Sequence, residues 1–289
     1  MQNVIRYLSI LVILISLSCE KEIGISKVPL FIPKLVLTSF LSPSDTISYI
    51  DVDSNQPLYG DLENLNPVGN LTGKISDGEK EIVLKQKENR LFFTSDDMRI
   101  ISGKTYRITV TSDKNMKAEA TCTVPADFDL RLKTDTFSVI HQVSIPEYRE
   151  WREFKTRVTF TDQPGSENYY RIYGRYLGYN SNPQSPVPEY FSEYVWIEKE
   201  LMTDRSADNE GKIIAEFNFN RSFTYYDSAF IKIYILNTEE SYYLYQKSLD
   251  NYIDDENPFT ESTPVYTNIE GGLGVFTSYS IDSIVVRVK

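Results

Sequence analysis

Three groups of residues in this chain have types and spacings that could do chemistry. Asp51, Asp53 and Asn55 alternate at the first spacings of a calcium loop, where side-chain oxygens recur at every second residue to surround a hard cation. Gln56 stands where such a loop turns on glycine, and Leu62 where it closes with a bidentate Glu. An EF-hand is therefore excluded, and an irregular calcium site between β loops is the alternative that is left. Gly271, Gly272 and Gly274 in "NIEGGLGVF" (268–276) raise a second chemistry, a phosphate cradled by backbone N–H groups. No Lys follows to make a Walker loop, and Val275-Phe276 opens a strand where a dinucleotide fingerprint needs a helix. The glycines read instead as a bulge or tight crossing that a side chain would block. The third group is tyrosine, clustered in "NYYRIYGRYLGYN", "EYFSEY", "FTYYDSAF" and "SYYLY", the last containing Tyr242 and Tyr245. A phenol ring with a hydroxyl suits sugar faces and protein interfaces. The alternative is plain packing into a core and onto a sheet face, since strands favour aromatics.

Acid–base and nucleophilic chemistry finds little footing. His141 is the single histidine, and it lies in "SVIHQVSIP" without a nucleophile motif nearby. A Ser-His-Asp relay has no support there, and a histidine-based zinc site is excluded by count. Cys122 is the one cysteine after Cys19, and its alternating surroundings "AEATCTVP" predict a buried structural thiol. The 41 acidic residues place carboxylates everywhere, so the Asp254-Asp255-Glu256 cluster reads as a solvated loop. A glycosidase needs two carboxylates at a separation that sequence does not show. No catalytic residue and no cofactor are assigned, and the chain reads as a non-enzyme. The net charge of -11 is opposite to what tracking a nucleic-acid backbone requires.

The elements that must position these residues begin with a leader. Arg6 is followed by an apolar run from Tyr7 to Leu17, broken by Ser9 and Ser16, then Ser18, Cys19 and the charges Glu20, Lys21 and Glu22. That is a short positive region and an apolar stretch sized for a secretory signal rather than a membrane span. A small residue directly before Cys19 suits lipoprotein processing, with acyl chains on Cys19 as the anchor. Residues 1–18 are thus expected to be a lipoprotein signal peptide and 19–33 a lipidated tether.

Short alternating segments follow. "KLVLTSFL", "DTISYIDVD", a hairpin around Asp77-Gly78, "RLFFT" and "KTYRITVTS-DKN-MKAEATCTV" predict about seven strands over 34–125, an immunoglobulin- or fibronectin-like β-sandwich. Residues 126–150 read as a connection. Over 126–289, "REFKTRVTFTD", "NYYRIYGRYLGYN", "EYVWIEKEL", "KIIAEFNFN" and "AFIKIYIL" predict a second β-rich, sandwich-like domain. One amphipathic helix is expected at about 239–253, with Tyr242, Tyr245, Leu249 and Tyr252 at helical spacing and Asn237 and Glu240 as its capping box. Two or three strands around the glycine loop 268–276 close the chain.

"ENPFTESTPVYTNIEGGLGVF" (256–276), behind the Tyr-rich helix, resembles a Bacteroidota lipoprotein family known as domain of unknown function 4249. Thr123-Val124-Pro125, then Phe160, Asp162, Tyr169 and Tyr170, and finally Asn268, Gly271, Gly272, Gly274 and Phe276 follow that family's pattern over nearly the whole chain. The resemblance implies a β-rich lipoprotein with no assigned activity, often encoded beside TonB-dependent outer-membrane transporters. The expectation is an outer-membrane, surface-exposed lipoprotein acting as an accessory or ligand-binding subunit of such a barrel, with the periplasmic face as the alternative location. Two rival expectations are a free-standing glycan-binding or adhesive lipoprotein and a carboxylate-based glycosidase. Candidate contact residues are those of the glycine motif together with Tyr242 and Tyr245.

Overall fold

Alternation of apolar and polar side chains sets the architecture, because a strand with one buried face must bury every second residue. The computed structural model describes residues 31–57, 68–127, 131–143, 149–180, 189–195, 201–222, 228–253 and 264–287, so Cys19 and its leader lie outside the described residues. The fold is mainly β. The first eight strands are β1 (Leu35–Leu41), β2 (Ile47–Ser54), β3 (Leu71–Ser76), β4 (Glu81–Val83), β5 (Lys85–Lys87), β6 (Arg90–Thr94), β7 (Thr105–Ser112) and β8 (Lys117–Thr123). Then come β9 (Lys133–Val143), β10 (Arg149–Thr161), β11 (Tyr169–Asn180), β12 (Glu189–Val195), β13 (Leu201–Thr203), β14 (Lys212–Ser222) and β15 (Ser228–Thr238). Helix α1 (Glu240–Ile253) and β16 (Leu273–Arg287) complete the order. The stretch expected as a mere connection, 126–150, therefore carries β9, and a single long strand follows the glycine loop where two or three strands were expected.

One sheet of nine strands runs through the molecule in the order β12-β11-β15-β16-β1-β2-β6-β5, with β13 also on β11. Its join is a parallel pairing of β1 with β16, from Val36↔Leu273 to Leu41↔Ser278. Strands from both sides of Pro125 thus share this sheet, and residues 33–289 make one compact unit. Two smaller sheets cover one face of it. At one end, β4-β3-β7-β8 packs over Leu35, Leu37, Ile50, Val52, Leu91 and Phe93 to close an apolar core. At the other, β14-β10-β9 brings Val158, Phe160 and Ile213 against Ile172, Tyr176, Ile231 and Ile233. Each end is a sandwich, and the long sheet is one layer of both.

Local chemistry fixes the turns. Gly78 at φ +88 lets β3 return as β4, while the Asp77 carboxylate accepts the Glu79 and Lys80 N–H groups at 3.1 and 2.8 Å. Tyr106, near the start of β7, accepts the Ile101 N–H at 2.8 Å and donates to the Arg99 carbonyl at 3.2 Å. This resembles the tyrosine corner of immunoglobulin-like sandwiches. Cys122 is buried as expected, and burial pushes its thiol well up.

Helix α1 lies on the opposite face of the long sheet, over β16, β1 and β11. Its start differs from the expected capping box. Asn237 pairs with Tyr170 and Ser280 inside the ladder, so its backbone is committed to β15 and the residue before the helix is Glu239. The Glu239 carbonyl takes the Tyr242 and Tyr243 N–H groups at 3.1 and 3.3 Å. Tyr242 is buried, Tyr245 and Leu249 are half-buried, and Tyr252 is exposed, so the apolar stripe ends before the last turn.

Candidate functional site

The glycine motif builds the join between the two ends. Glu270 pairs with Glu119 of β8 through N–H···O bonds of 3.0 and 2.8 Å, after which the chain crosses to lie beside β1. At Gly272 a Cβ would stand 2.7 Å from the Leu35 carbonyl oxygen, and at Gly274 (φ +95) it would collide with the carbonyl of Leu37. Backbone therefore approaches backbone where no side chain fits. Asn268 staples the turn: its amide donates to the Phe276 carbonyl at 2.8 Å and accepts the Phe276 N–H at 3.0 Å. Phe276 is fully buried in the first core. Asn268, Gly271, Gly272, Gly274 and Phe276 are thus brought together, and their work is to hold strands.

The other motif residues join the same frame. Tyr170 donates its hydroxyl to Asp162 at 2.7 Å and packs edge-on against Phe160 at 5.0 Å, fixing the β10–β11 connection. Thr123 donates its N–H to Glu239 at 3.0 Å, and Thr277 donates its hydroxyl to the same carboxylate at 3.2 Å. Burial holds the Glu239 carboxyl above its ordinary range, with these hydrogen bonds pulling the other way. Glu239 was not among the expected residues, and only the fold reveals its reach from α1 to both β8 and β16.

The calcium alternative does not assemble. Asp51 and Asp53 lie on regular strand β2, and Asn55 just past its end accepts the Lys34 N–H at 2.7 Å. Asp51 pairs with Arg90, which also sits 5.0 Å from the Tyr49 ring. Among the described residues no group of three or more acidic, His or Cys side chains could hold a metal. His141 lies on β9 opposite Trp151.

The face of the long sheet that carries α1, otherwise uncovered, holds two cavities that could take a ligand. Beyond β1, a groove of about 870 Å³ is lined by Thr38, Tyr49, Asp51, Arg90 and Phe92. Beside α1, a cleft of about 320 Å³ is lined by Phe40, Arg171, Tyr173, Arg175, Tyr242 and Tyr279, among others. Arg171 donates to the Tyr242 hydroxyl at 2.8 Å, and Phe40 meets Tyr242 and Tyr245 at centroid distances of 5.3 and 6.3 Å. Burial raises the hydroxyl pKa of Tyr173 and Tyr279, so both remain protonated donors at neutral pH. Of the two helix tyrosines expected at a contact surface, Tyr242 lines the cleft, while Tyr245 packs on Phe40 beside it. The residues that could hold an anion, Arg171 and Arg175, carry a signal that strict alternation in "YRIYGRY" exposes: they share the outward face with Tyr173.

Fold and site together define a β protein of two sandwiches sharing one sheet, with an aromatic and cationic cleft on the uncovered face. Residues 22–284 match the family described as Domain of unknown function (DUF4249), and the chain belongs to that family. No curated protein matches it.

Proposed function

We propose that this chain is an outer-membrane, surface-exposed lipoprotein, anchored through Cys19, that serves as an accessory or ligand-binding subunit of a TonB-dependent transporter. The observation that carries the ligand-binding part is the uncovered face of the long sheet, where Arg171, Arg175, Tyr173 and Tyr279 line a cleft beside α1. Tyrosine and arginine are the side chains that concentrate binding energy at interfaces. The anchoring part rests on the run into Cys19 and the charges after it. The transporter as partner rests on the family resemblance.

Affinity isolation of the tagged, lipidated protein from its native outer membrane, followed by mass spectrometry, tests this reading. A near-stoichiometric TonB-dependent barrel is the expected result. A protein that comes out alone overturns the accessory-subunit reading. The tyrosine-lined cleft favours a free-standing glycan binder as the second reading, and binding of the ectodomain to a glycan array would then support it. A carboxylate-based glycosidase would have to use the groove beyond β1, which Asp51, Asp53 and Glu88 line, because the cleft beside α1 has no carboxylate.

A further inference from the structure

On the uncovered face, β11 and β15 set Arg175 directly opposite Lys232. Like charges at opposed positions on neighbouring strands destabilise a sheet. Neither cation has an ion-pair partner among the described residues, and the Lys232 ammonium instead sits 4.9 Å from the Tyr234 ring centroid. Register places Arg171, Tyr173 and Arg175 of β11, Lys232, Tyr234 and Leu236 of β15, and Ile281, Ser283, Val285 and Arg287 of β16 on this one face. No Asp or Glu is among them. In a chain of net charge -11 these cations are gathered on one stretch of the face, with Asp45 the carboxylate that acts on the cleft residue Tyr279. Between the two arginines of β11, Tyr173 stacks on Tyr234 at 4.8 Å and 16°, which sets two phenol hydroxyls among three cations. Arg171 is steadied by its bond to Tyr242.

We infer that this patch, with the adjoining cleft, binds a small ligand carrying an oxyanion, a carboxylate or a phosphate. Arg175 and Lys232 flank the anionic group, the tyrosine hydroxyls donate to it, and Arg171 receives a second polar group deeper in the cleft. Arg171 and Arg175 are four residues apart on one strand, roughly 13 Å, which fits a ligand about the size of a disaccharide. Bound anion removes the repulsion that the empty pair carries. The inference rests on the ligand-binding part of the proposed function and does not need the transporter.

Titration calorimetry of the detergent-solubilised full chain with three probes decides it: inorganic phosphate, digalacturonate and the neutral digalactoside. Phosphate or digalacturonate should bind, and whichever binds names the anionic group. Affinity should fall about tenfold or more in Arg175→Gln and in Lys232→Gln, and should weaken in high salt. Both variants, without ligand, should unfold at the same temperature as the wild type or higher, because the like-charge pair is gone. No binding of any probe, equal binding of the neutral sugar, or unchanged affinity in both variants overturns the inference. So does a lowered unfolding temperature in both variants, which would make the cations structural. A chain that co-isolates with a barrel yet binds none of the probes sinks this inference and leaves the transporter reading standing. A chain that binds a probe but comes out alone does the reverse.

Discussion

The two ends of the long sheet handle charge on the same uncovered face in opposite ways. At the β2–β6 end, Asp51 stands directly opposite Arg90 and pairs with it, and the guanidinium also covers Tyr49. At the β11–β15 end, the opposed residues are Arg175 and Lys232, both cations. The backbone geometry is the same, an antiparallel ladder with one face open. The difference therefore lies in side-chain choice. A pair that satisfies itself adds to the fold's own stability, whereas a pair that repels itself subtracts from it.

The largest effect is expected at the join that both ends share. Gly274→Ala places a Cβ against the Leu37 carbonyl at φ +95, and should cost about 4 kcal/mol. Both ends should then lose stability together in chemical denaturation followed by near-UV circular dichroism and tyrosine fluorescence. Asn268→Ala removes the two bonds to the Phe276 backbone, for a loss of about 2 kcal/mol in the same experiment.

Acid acts unequally on the first sandwich and on the join. Asp77 and Asp97, both in the first sandwich, are held down to about 2 from 3.8, Asp77 chiefly by the Lys80 N–H and Asp97 chiefly by Lys85. A carboxylate with a lowered folded value stabilises the fold above its unfolded value and loses that contribution as pH falls through the folded one. The first sandwich should weaken as pH drops from about 4 towards 2, and Asp77→Asn should flatten that part of a stability-against-pH curve. Glu239 at the join has the opposite sign. Its raised carboxyl favours the protonated form, so its contribution improves as pH falls towards 4.5.

The smallest effect tests the charge pairs themselves. Lys232→Glu turns a repelling pair into an attracting one and should stabilise by about 0.5 kcal/mol, while Asp51→Lys should cost about as much. Both differences should shrink in high salt, as read from denaturation midpoints.

Much of this was legible in the chain. Alternation sets Tyr170, Ile172, Gly174 and Tyr176 on one face of β11, opposite Tyr169, Arg171 and Tyr173, and the structure buries all four. The Tyr-rich helix was expected at about 239–253 and runs from Glu240 to Ile253. The glycines were read as a tight crossing, which is how they serve. What stayed hidden depends on pairing between distant segments. Nothing local to Val36 announces Leu273 as its neighbour, and nothing near Arg175 announces Lys232. Strand β9 was missed because "TDTFSVIHQV" sits beside prolines and polar residues that resemble a connection. The cap was misplaced because Asn237 has the right chemistry, while the ladder with β11 and β16 had already claimed its backbone.

The parallel seam between β1 and β16 has a consequence for how the chain comes to be folded. When the polypeptide emerges N-terminus first, the first strand appears early and its partner appears last of all the described strands. Until then β1 presents an open row of hydrogen-bonding groups and β15 lacks its neighbour on the same side. Contacts this far apart along the chain slow folding, and unpaired edges invite association with other chains. The long sheet thus closes late, and a chaperone that shields the β1 edge would act on the interval in which it is most exposed.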